Sequence, residues 1–98
     1  ECKRIADLAD SYYIPLAPHN ICSPIGTMAS CHVCAATPNF HVLEFHHLDN
    51  ELWNSLTVER DLIQNGRIAL PRGPGLGVHL DEDVARAATK QDVGGFYA

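Results

Sequence analysis

The sequence predicts an α/β fold built on parallel strands, because two apolar runs flank a helix with clear start and stop signals. The first run spans residues 13–17 and the second spans residues 40–45. Ser23 and Pro24 open the helix between them, and Pro38 ends it. The two runs begin about thirty residues apart, the size of a βαβ unit, so a right-handed crossover is expected.

An amphipathic helix is predicted ahead of the first strand, over residues 2–12. Its apolar positions recur at helical spacing. They are Ile5, Leu8, Ala9 and Tyr12. The run over residues 13–17 is almost continuously apolar, which is typical of a strand covered on both faces. Pro15 and Pro18 limit its hydrogen bonding, because each lacks an N–H donor.

The helix predicted over residues 24–36 has sequence signals at both ends. Ser23 is a good N-cap, and Pro24 suits the first helical position, where its missing N–H costs little. Small side chains dominate this segment, so the helix can pack closely against a sheet. Pro38 then ends the helix.

Shorter elements are predicted in the C-terminal half. They are a helix over 49–56, a hairpin of residues 62–64 and 67–70, a Gly/Pro loop over 71–77, a helix over 82–88 and a frayed tail from 89. Asn65 and Gly66 are a strong two-residue hairpin signal. Asp81 is placed to cap the last helix. Trp53 suits either a core position or a substrate-side loop.

Composition narrows the possible partners. The chain has 98 residues, 46% of them hydrophobic, and a formal charge of -5 without a basic cluster. These properties argue against nucleic acid and anionic membranes as partners. No apolar run approaches the length of a membrane span, and no signal peptide is visible. The four cysteines are then expected to be reduced thiols in a cytoplasmic protein.

The predicted sheet is incomplete. Two parallel strands leave hydrogen-bonding edges and apolar faces that need neighbours. The sequence also starts without Met and runs straight into a helical pattern. We therefore expect a piece of a longer chain, which supplies the remaining strands.

Two chemically active side chains follow the predicted strands. His19 comes just after the first run, and Glu44 lies near the end of the second. Enzymes built on parallel sheets carry their catalytic residues at the C-terminal ends of the strands. An imidazole in that position can take or give a proton near neutral pH. A structural role for His19 and a solvated Glu44 remain alternatives. His41 is expected on a helix-facing or barrel-lining side. Either His46 or His47 could reach the substrate, but a solvated loop is favoured for both.

The order of several motifs resembles one family over residues 3–88. The motifs are APHN at 17–20, SPIGT at 23–27, PNF at 38–40, LE at 43–44, NGRI at 65–68, PGLGV at 74–78 and LD at 80–81. This order is similar to that of the mandelate racemase and muconate-lactonizing branch of the enolase superfamily. Within the branch, PHN and LEFH look most like acid-sugar dehydratases of the galactonate, gluconate or xylonate type.

The resemblance implies the C-terminal part of a (β/α)7β barrel. Residues 1–48 would supply a helix, strand seven, a helix and strand eight, and residues 49–98 would return toward a capping domain. His19 matches the acid/base His at the end of strand seven. Glu44 matches the Glu of strand eight that contacts the substrate carboxylate or its enediolate. The carboxylates that bind Mg2+, and the Asp that orients the His, belong to strands outside this chain.

The resemblance also implies a reaction. The parent enzyme would abstract the proton α to a carboxylate and eliminate the β-hydroxyl, giving a 2-keto-3-deoxy sugar acid. Mg2+ would supply positive charge to the enediolate. A protonated Glu44 could donate a hydrogen bond to the oxyanion, provided an apolar site raised its pKa. The parent is expected to be a homo-oligomer, and the isolated chain is expected to be inactive.

Three alternatives remain open at this point. A racemase or cycloisomerase of the same superfamily would share the first proton abstraction. A small zinc-binding module could use Cys31, Cys34, His46 and His47, because a CxxC spacing is a zinc half-site. The helical flanks instead favour these thiols as buried small hydrophobes. A non-catalytic remnant of an enzyme is the third alternative.

Overall fold

The structure, a computed structural model, describes residues 1–46 and 51–89. Its elements are α1 (Cys2–Asp10), α2 (Pro24–Ala35), α3 (Glu51–Ser55), β1 (Ile63–Gln64), β2 (Arg67–Ile68) and α4 (Glu82–Ala88). The first two residues of the helix predicted over 49–56, and the predicted tail beyond residue 89, lie outside the described ranges. Within those ranges, no helix combines the length and apolar character needed to cross a membrane.

Helix α1 confirms the predicted N-terminal helix, and its apolar face is exposed in the described part of the chain. The helix ends at Asp10, because the chain turns back at Tyr13, which has a φ of 57°. Ile5 and Leu8 are 59% and 64% exposed, whereas Ala6 is fully buried. The apolar stripe of α1 is therefore uncovered by the rest of the described chain, as expected for an element that needs further neighbours.

Two extended segments pair in parallel, as predicted, although they are shorter than full strands. We call residues 14–20 the first β segment and residues 39–46 the second β segment. Leu16 and Phe40 form a parallel bridge. The N–H of Leu16 donates to the Asn39 carbonyl at 2.8 Å, and the N–H of His41 donates to the Leu16 carbonyl at 2.9 Å. Pro18 cannot donate, so the ladder is weakened directly after this bridge.

The pairing of the two β segments shifts by one residue beyond the bridge. Further along, the N–H of Glu44 donates to the Pro18 carbonyl at 3.1 Å, and the N–H of His46 donates to the Asn20 carbonyl at 3.4 Å. In a regular parallel ladder, residue 43 would donate to Pro18. The second β segment therefore contains one extra residue, as in a β-bulge.

The tightest packing surrounds the start of α2. The Ser23 hydroxyl caps the helix by accepting from the Gly26 N–H, as predicted. Thr27 and Met28 are each only 1% exposed. A Cβ at Gly26 would lie 2.7 Å from the Cβ of Cys22, so glycine is required by this close approach. α2 is thereby held against the loop that follows the first β segment.

The C-terminal elements confirm the predicted hairpin and last helix. β1 and β2 pair antiparallel, with Ile63 opposite Ile68. Asn65 and Gly66 have φ values of 51° and 71°, which a two-residue turn of this type requires. The Asp81 side chain accepts from the Val84 N–H and caps α4.

Candidate active site

Three side chains meet at the ends of the two β segments. His19 Nδ1 is hydrogen-bonded to Glu44 Oε2. His46 Nε2 lies 3.1 Å from the other oxygen, Glu44 Oε1. The two imidazole rings make an edge-to-face contact, with centroids 5.7 Å apart and planes at 70°. The structure thus brings together the two predicted site residues and adds His46, which we name together the His–Glu–His cluster.

The one-residue shift explains why these side chains share a face. In a regular continuation of the Leu16–Phe40 pairing, His19 would lie beside Leu43, and Glu44 would point to the opposite face. The extra residue moves Glu44 into register with His19. His46 follows on the same face, because side chains two residues apart in an extended segment point the same way. This period of two is the signal that sequence analysis could have used to find His46.

Glu44 is held in its ionised form. The hydrogen bond from His19 is the largest cause that lowers the pKa of Glu44 from its ordinary value; burial opposes it, and the His46 contact adds a smaller lowering effect. The Glu44 side chain is 45% exposed in the part of the chain that the structure describes. A protonated Glu44 that donates a hydrogen bond to an oxyanion would need apolar neighbours that raise its pKa, and the described residues have the opposite effect.

The protonation of Glu44 sets the tautomer of His19. An ionised carboxylate can only accept hydrogen bonds, so Nδ1 of His19 carries the proton of their shared bond. The second ring nitrogen, Nε2, is then the atom available to a substrate when the ring is neutral. The His19 side chain is 65% exposed, which leaves room for such an approach.

Asn20 anchors the end of the first β segment, a role that its place in the APHN motif does not by itself reveal. It is 1% exposed, and its side-chain amide donates to the Thr27 hydroxyl at 3.2 Å. The Thr27 hydroxyl in turn lies 3.3 Å from the Cys22 carbonyl, to which it can donate. The Asn20 carbonyl accepts the N–H of His46. Asn20 therefore joins both β segments to the start of α2, directly beside His19.

Trp53 supports the same loop from the C-terminal half. Its indole N–H donates to the Cys22 carbonyl at 2.9 Å. Its ring packs edge-to-face on Phe45, with centroids 5.2 Å apart. Because Phe45 separates Glu44 from His46 along the chain, Trp53 buttresses the cluster from the opposite face.

The donor atoms of the cluster define what it could bind. In residues 1–46 and 51–89, the group of three or more ligand-type side chains close enough to share an ion is the His–Glu–His cluster. Mg2+ prefers six oxygen ligands in an octahedron, so two imidazoles and one carboxylate do not fit it. We therefore do not assign Mg2+ to the His–Glu–His cluster.

The predicted zinc half-site does not take part in that group. Cys31 and Cys34 belong to α2, and burial raises the pKa of each thiol. Raised pKa values disfavour the thiolate that zinc binds. His46 lies instead with His19 and Glu44, and His47 falls outside the described residues. The observed placement favours the interpretation of these cysteines as packing residues.

A groove of about 610 Å³ lies away from the cluster. α2, the second β segment and the hairpin line it, with His41, Val42 and Leu43 among the contributors. His41 therefore faces this groove, while His19 and Glu44 do not contribute to it. Its largely apolar lining is typical of a surface that packs against further secondary structure.

Comparison with known proteins identifies the family. The pattern of the family described as "Enolase C-terminal domain-like" matches residues 1–84. The chain is 55% identical over 87 residues to D-xylonate dehydratase of Haloferax volcanii, covering 89% of this chain and 21% of that protein. It is 33% identical over 97 residues to D-galactonate dehydratase of Ralstonia pickettii, covering 93% of this chain and 25% of that protein.

A solved structure shows the same fold. The crystal structure of a mandelate racemase/muconate lactonizing enzyme-like protein from Rubrobacter xylanophilus superimposes with a TM-score of 0.86 at 47% identity. The match covers 93% of this chain and 24% of that one. The chain thus has the fold of an enolase C-terminal, TIM-barrel-like domain, and spans about a fifth to a quarter of the length of the relatives it matches.

Proposed function

Because this chain belongs to the mandelate racemase and muconate-lactonizing branch of the enolase superfamily, we propose that it is part of a Mg2+-dependent acid-sugar dehydratase. Residues 1–48 supply strands seven and eight of a (β/α)7β barrel with their helices. Residues 49–98 return toward a capping domain. The parent enzyme is cytoplasmic and homo-oligomeric, and it acts on a small sugar acid. The free thiols of the four cysteines suit a reducing compartment.

The contact between His19 and Glu44 is the observation that carries this proposal. Both residues lie near the ends of the predicted strands, and their side chains are hydrogen-bonded to each other on one face of the paired β segments. The dehydratase of Haloferax volcanii, at 55% identity, supports D-xylonate or a similar sugar acid as the substrate class. The uncovered stripe of α1 and the apolar groove supply the surfaces on which the remaining barrel would pack.

His19 performs the proton transfers in this proposal. Glu44 is the substrate-side contact of the parent enzyme, whose orienting Asp lies outside this chain. Within this chain Glu44 also accepts the Nδ1 proton of His19 and stabilises the imidazolium cation whenever Nε2 is protonated. The base that removes the proton α to the carboxylate is His19 itself or a residue of the parent outside this chain, and the electron pair forms an enediolate. The β-hydroxyl then takes a proton from His19 and leaves as water, and the resulting enol tautomerises to the 2-keto-3-deoxy acid. Mg2+, held by residues outside this chain, supplies positive charge near the carboxylate when bound.

Replacing His19 tests the proposal. The whole protein carrying His19→Asn is expected to lose about 10²- to 10⁴-fold in kcat for sugar-acid dehydration, the range of general acid–base catalysis. Formation of the 2-keto-3-deoxy acid is measured across a panel that includes xylonate, gluconate and galactonate. Retained turnover would defeat the role of His19. Racemisation or cycloisomerisation without water loss would replace the dehydratase assignment.

A matched control is available in the same chain. His79 is also exposed and bound to a carboxylate, with its Nδ1 2.7 Å from Glu59 Oε1. Both residues of this His79–Glu59 ion pair belong to the C-terminal half of the chain, outside the His–Glu–His cluster. His79→Asn is therefore expected to keep the wild-type kcat, which separates a catalytic imidazole from any exposed His–Glu pair.

A further inference from the structure

The His–Glu–His cluster has a donor set that its proposed catalytic role does not use. We infer that His19, Glu44 and His46 form a binding site for a borderline divalent cation, Zn2+ above all. Two imidazole nitrogens and one carboxylate oxygen, with water in the fourth position, are the donors of an open zinc site. The same donors bind Mg2+ poorly, because it demands oxygen ligands in an octahedron.

The geometry requires little rearrangement. One ligand atom from each residue lies within 4.8 Å of the others. Two ligands of a tetrahedral zinc ion, each about 2.0–2.1 Å from the metal, lie roughly 3.4 Å apart. The side chains therefore need to close by at most about 1.4 Å. All three are exposed, so rotation of their χ angles can supply this movement, and water can reach the remaining position.

The backbone already holds the three residues on one face. The register shift sets His19 beside Glu44, and the bond from the His46 N–H to the Asn20 carbonyl holds the end of the second β segment. Glu44 touches the two imidazoles with different oxygens. On binding, the ion would take the place of the proton shared by His19 and Glu44, and this proton would be released to solvent. The ion would also bind a ring nitrogen of His46.

Occupation by zinc has a consequence that rests on the proposed function. Zinc engages His19 Nδ1 and the Glu44 carboxylate, so the acid/base residue loses the partner that sets its tautomer. The ion also occupies the space in front of the ring. Zn2+ is therefore an inhibitor that competes with the sugar acid while Mg2+ is saturating. Binding itself does not depend on the identity of the substrate.

Zinc titration of the whole protein in excess Mg2+ tests the site by calorimetry. We expect wild type to bind one zinc ion more per chain than His46→Gln, or to bind that ion at least about tenfold more tightly. Loss of a residue that merely hydrogen-bonds to a metal ligand weakens metal binding by about 10- to 100-fold, so loss of a ligand should cost at least as much. Glu44→Gln is expected to weaken binding similarly. His79→Gln, which alters a His–Glu pair outside the cluster, is expected to bind zinc as wild type does.

The outcomes separate this inference from the dehydratase proposal. Equal zinc affinity and stoichiometry in wild type and His46→Gln would overturn the site, even if sugar acids are dehydrated. Loss of zinc binding in His79→Gln alone would also overturn it. Zinc binding that depends on His46, in a protein inactive on every sugar acid, would support the site and reject the proposed reaction.

Discussion

The buried pair Asn20–Thr27 offers a quantitative test of how the site is held. Thr27→Val replaces the hydroxyl by a methyl group of similar volume, so it creates no large cavity. The Asn20 amide then loses the acceptor that now lies at 3.2 Å, in a position only 1% exposed. A buried polar group without a partner costs about 1–3 kcal/mol, and the lost bond from Thr27 to the Cys22 carbonyl adds a smaller amount. We expect a total of about 2–3 kcal/mol.

Hydrogen–deuterium exchange of the whole protein measures this effect locally. A loss of about 2–3 kcal/mol corresponds to exchange roughly 30- to 150-fold faster in the peptide covering residues 19–28, since each 1.4 kcal/mol is a factor of ten. Thr37→Val is the matched control. Thr37 is also buried, at 6% exposure, but its hydroxyl donates to the Val33 carbonyl in the last turn of α2, the helix that Thr37 follows, at 2.8 Å. In Thr37→Val, hydrogen exchange in the peptide covering residues 19–28 is expected to change by less than about tenfold. Equal effects of the two substitutions would refute the reasoning.

The remaining predictions concern coupling, acidity and packing. In kinetics of the whole protein, Glu44→Gln is expected to lower kcat. If His19 and Glu44 act as one catalytic unit, the double variant Glu44→Gln with His19→Asn is no slower than His19→Asn alone. Fully additive losses in kcat would contradict such a unit. Hydrogen bonds from His79 lower the pKa of Glu59 to about 2. The unfolded chain therefore binds more protons between about pH 4.5 and 2, and stability falls with decreasing pH in that window. Melting curves of Glu59→Gln should lose that slope, and an unchanged slope would remove Glu59 from the explanation. Gly26→Ala should lower the melting temperature despite a better helix propensity, because its Cβ would lie 2.7 Å from the preceding loop; a rise would show that the contact relaxes freely.

Local signals predicted the elements with their own caps and turns. Ser23 caps α2 and Asp81 caps α4, as predicted, and Gly66 adopts the positive φ that the hairpin turn requires. These features depend on bonds within a few residues, which the sequence displays directly. The joint placement of His19 and Glu44 followed from a rule about parallel sheets, and the structure brings them into contact.

Features that depend on absent neighbours or on pairing register could not be predicted in the same way. The period of α1 placed Ile5 and Leu8 on one apolar face, and both are exposed in the described chain, because periodicity identifies an apolar face without saying what covers it. His46 was expected in a solvated loop, because the length of the second β segment depends on its pairing with the first. Asn20 and Thr27 each belong to a motif of the family resemblance, but the motifs do not display the hydrogen bond that joins these two residues across seven positions.

The extra residue in the second β segment makes segment length, as well as residue identity, a determinant of the site. Inserting one further residue between positions 41 and 43 would preserve both imidazoles and the carboxylate, yet move Glu44 and His46 out of register with His19 if the ladder kept a single extra residue. Homologous chains with such an insertion would retain the same letters with a dismantled constellation, whereas a deletion that removes the extra residue would leave Glu44 beside His19. Grafting these residues into another barrel therefore requires matching the length of the segment to its pairing.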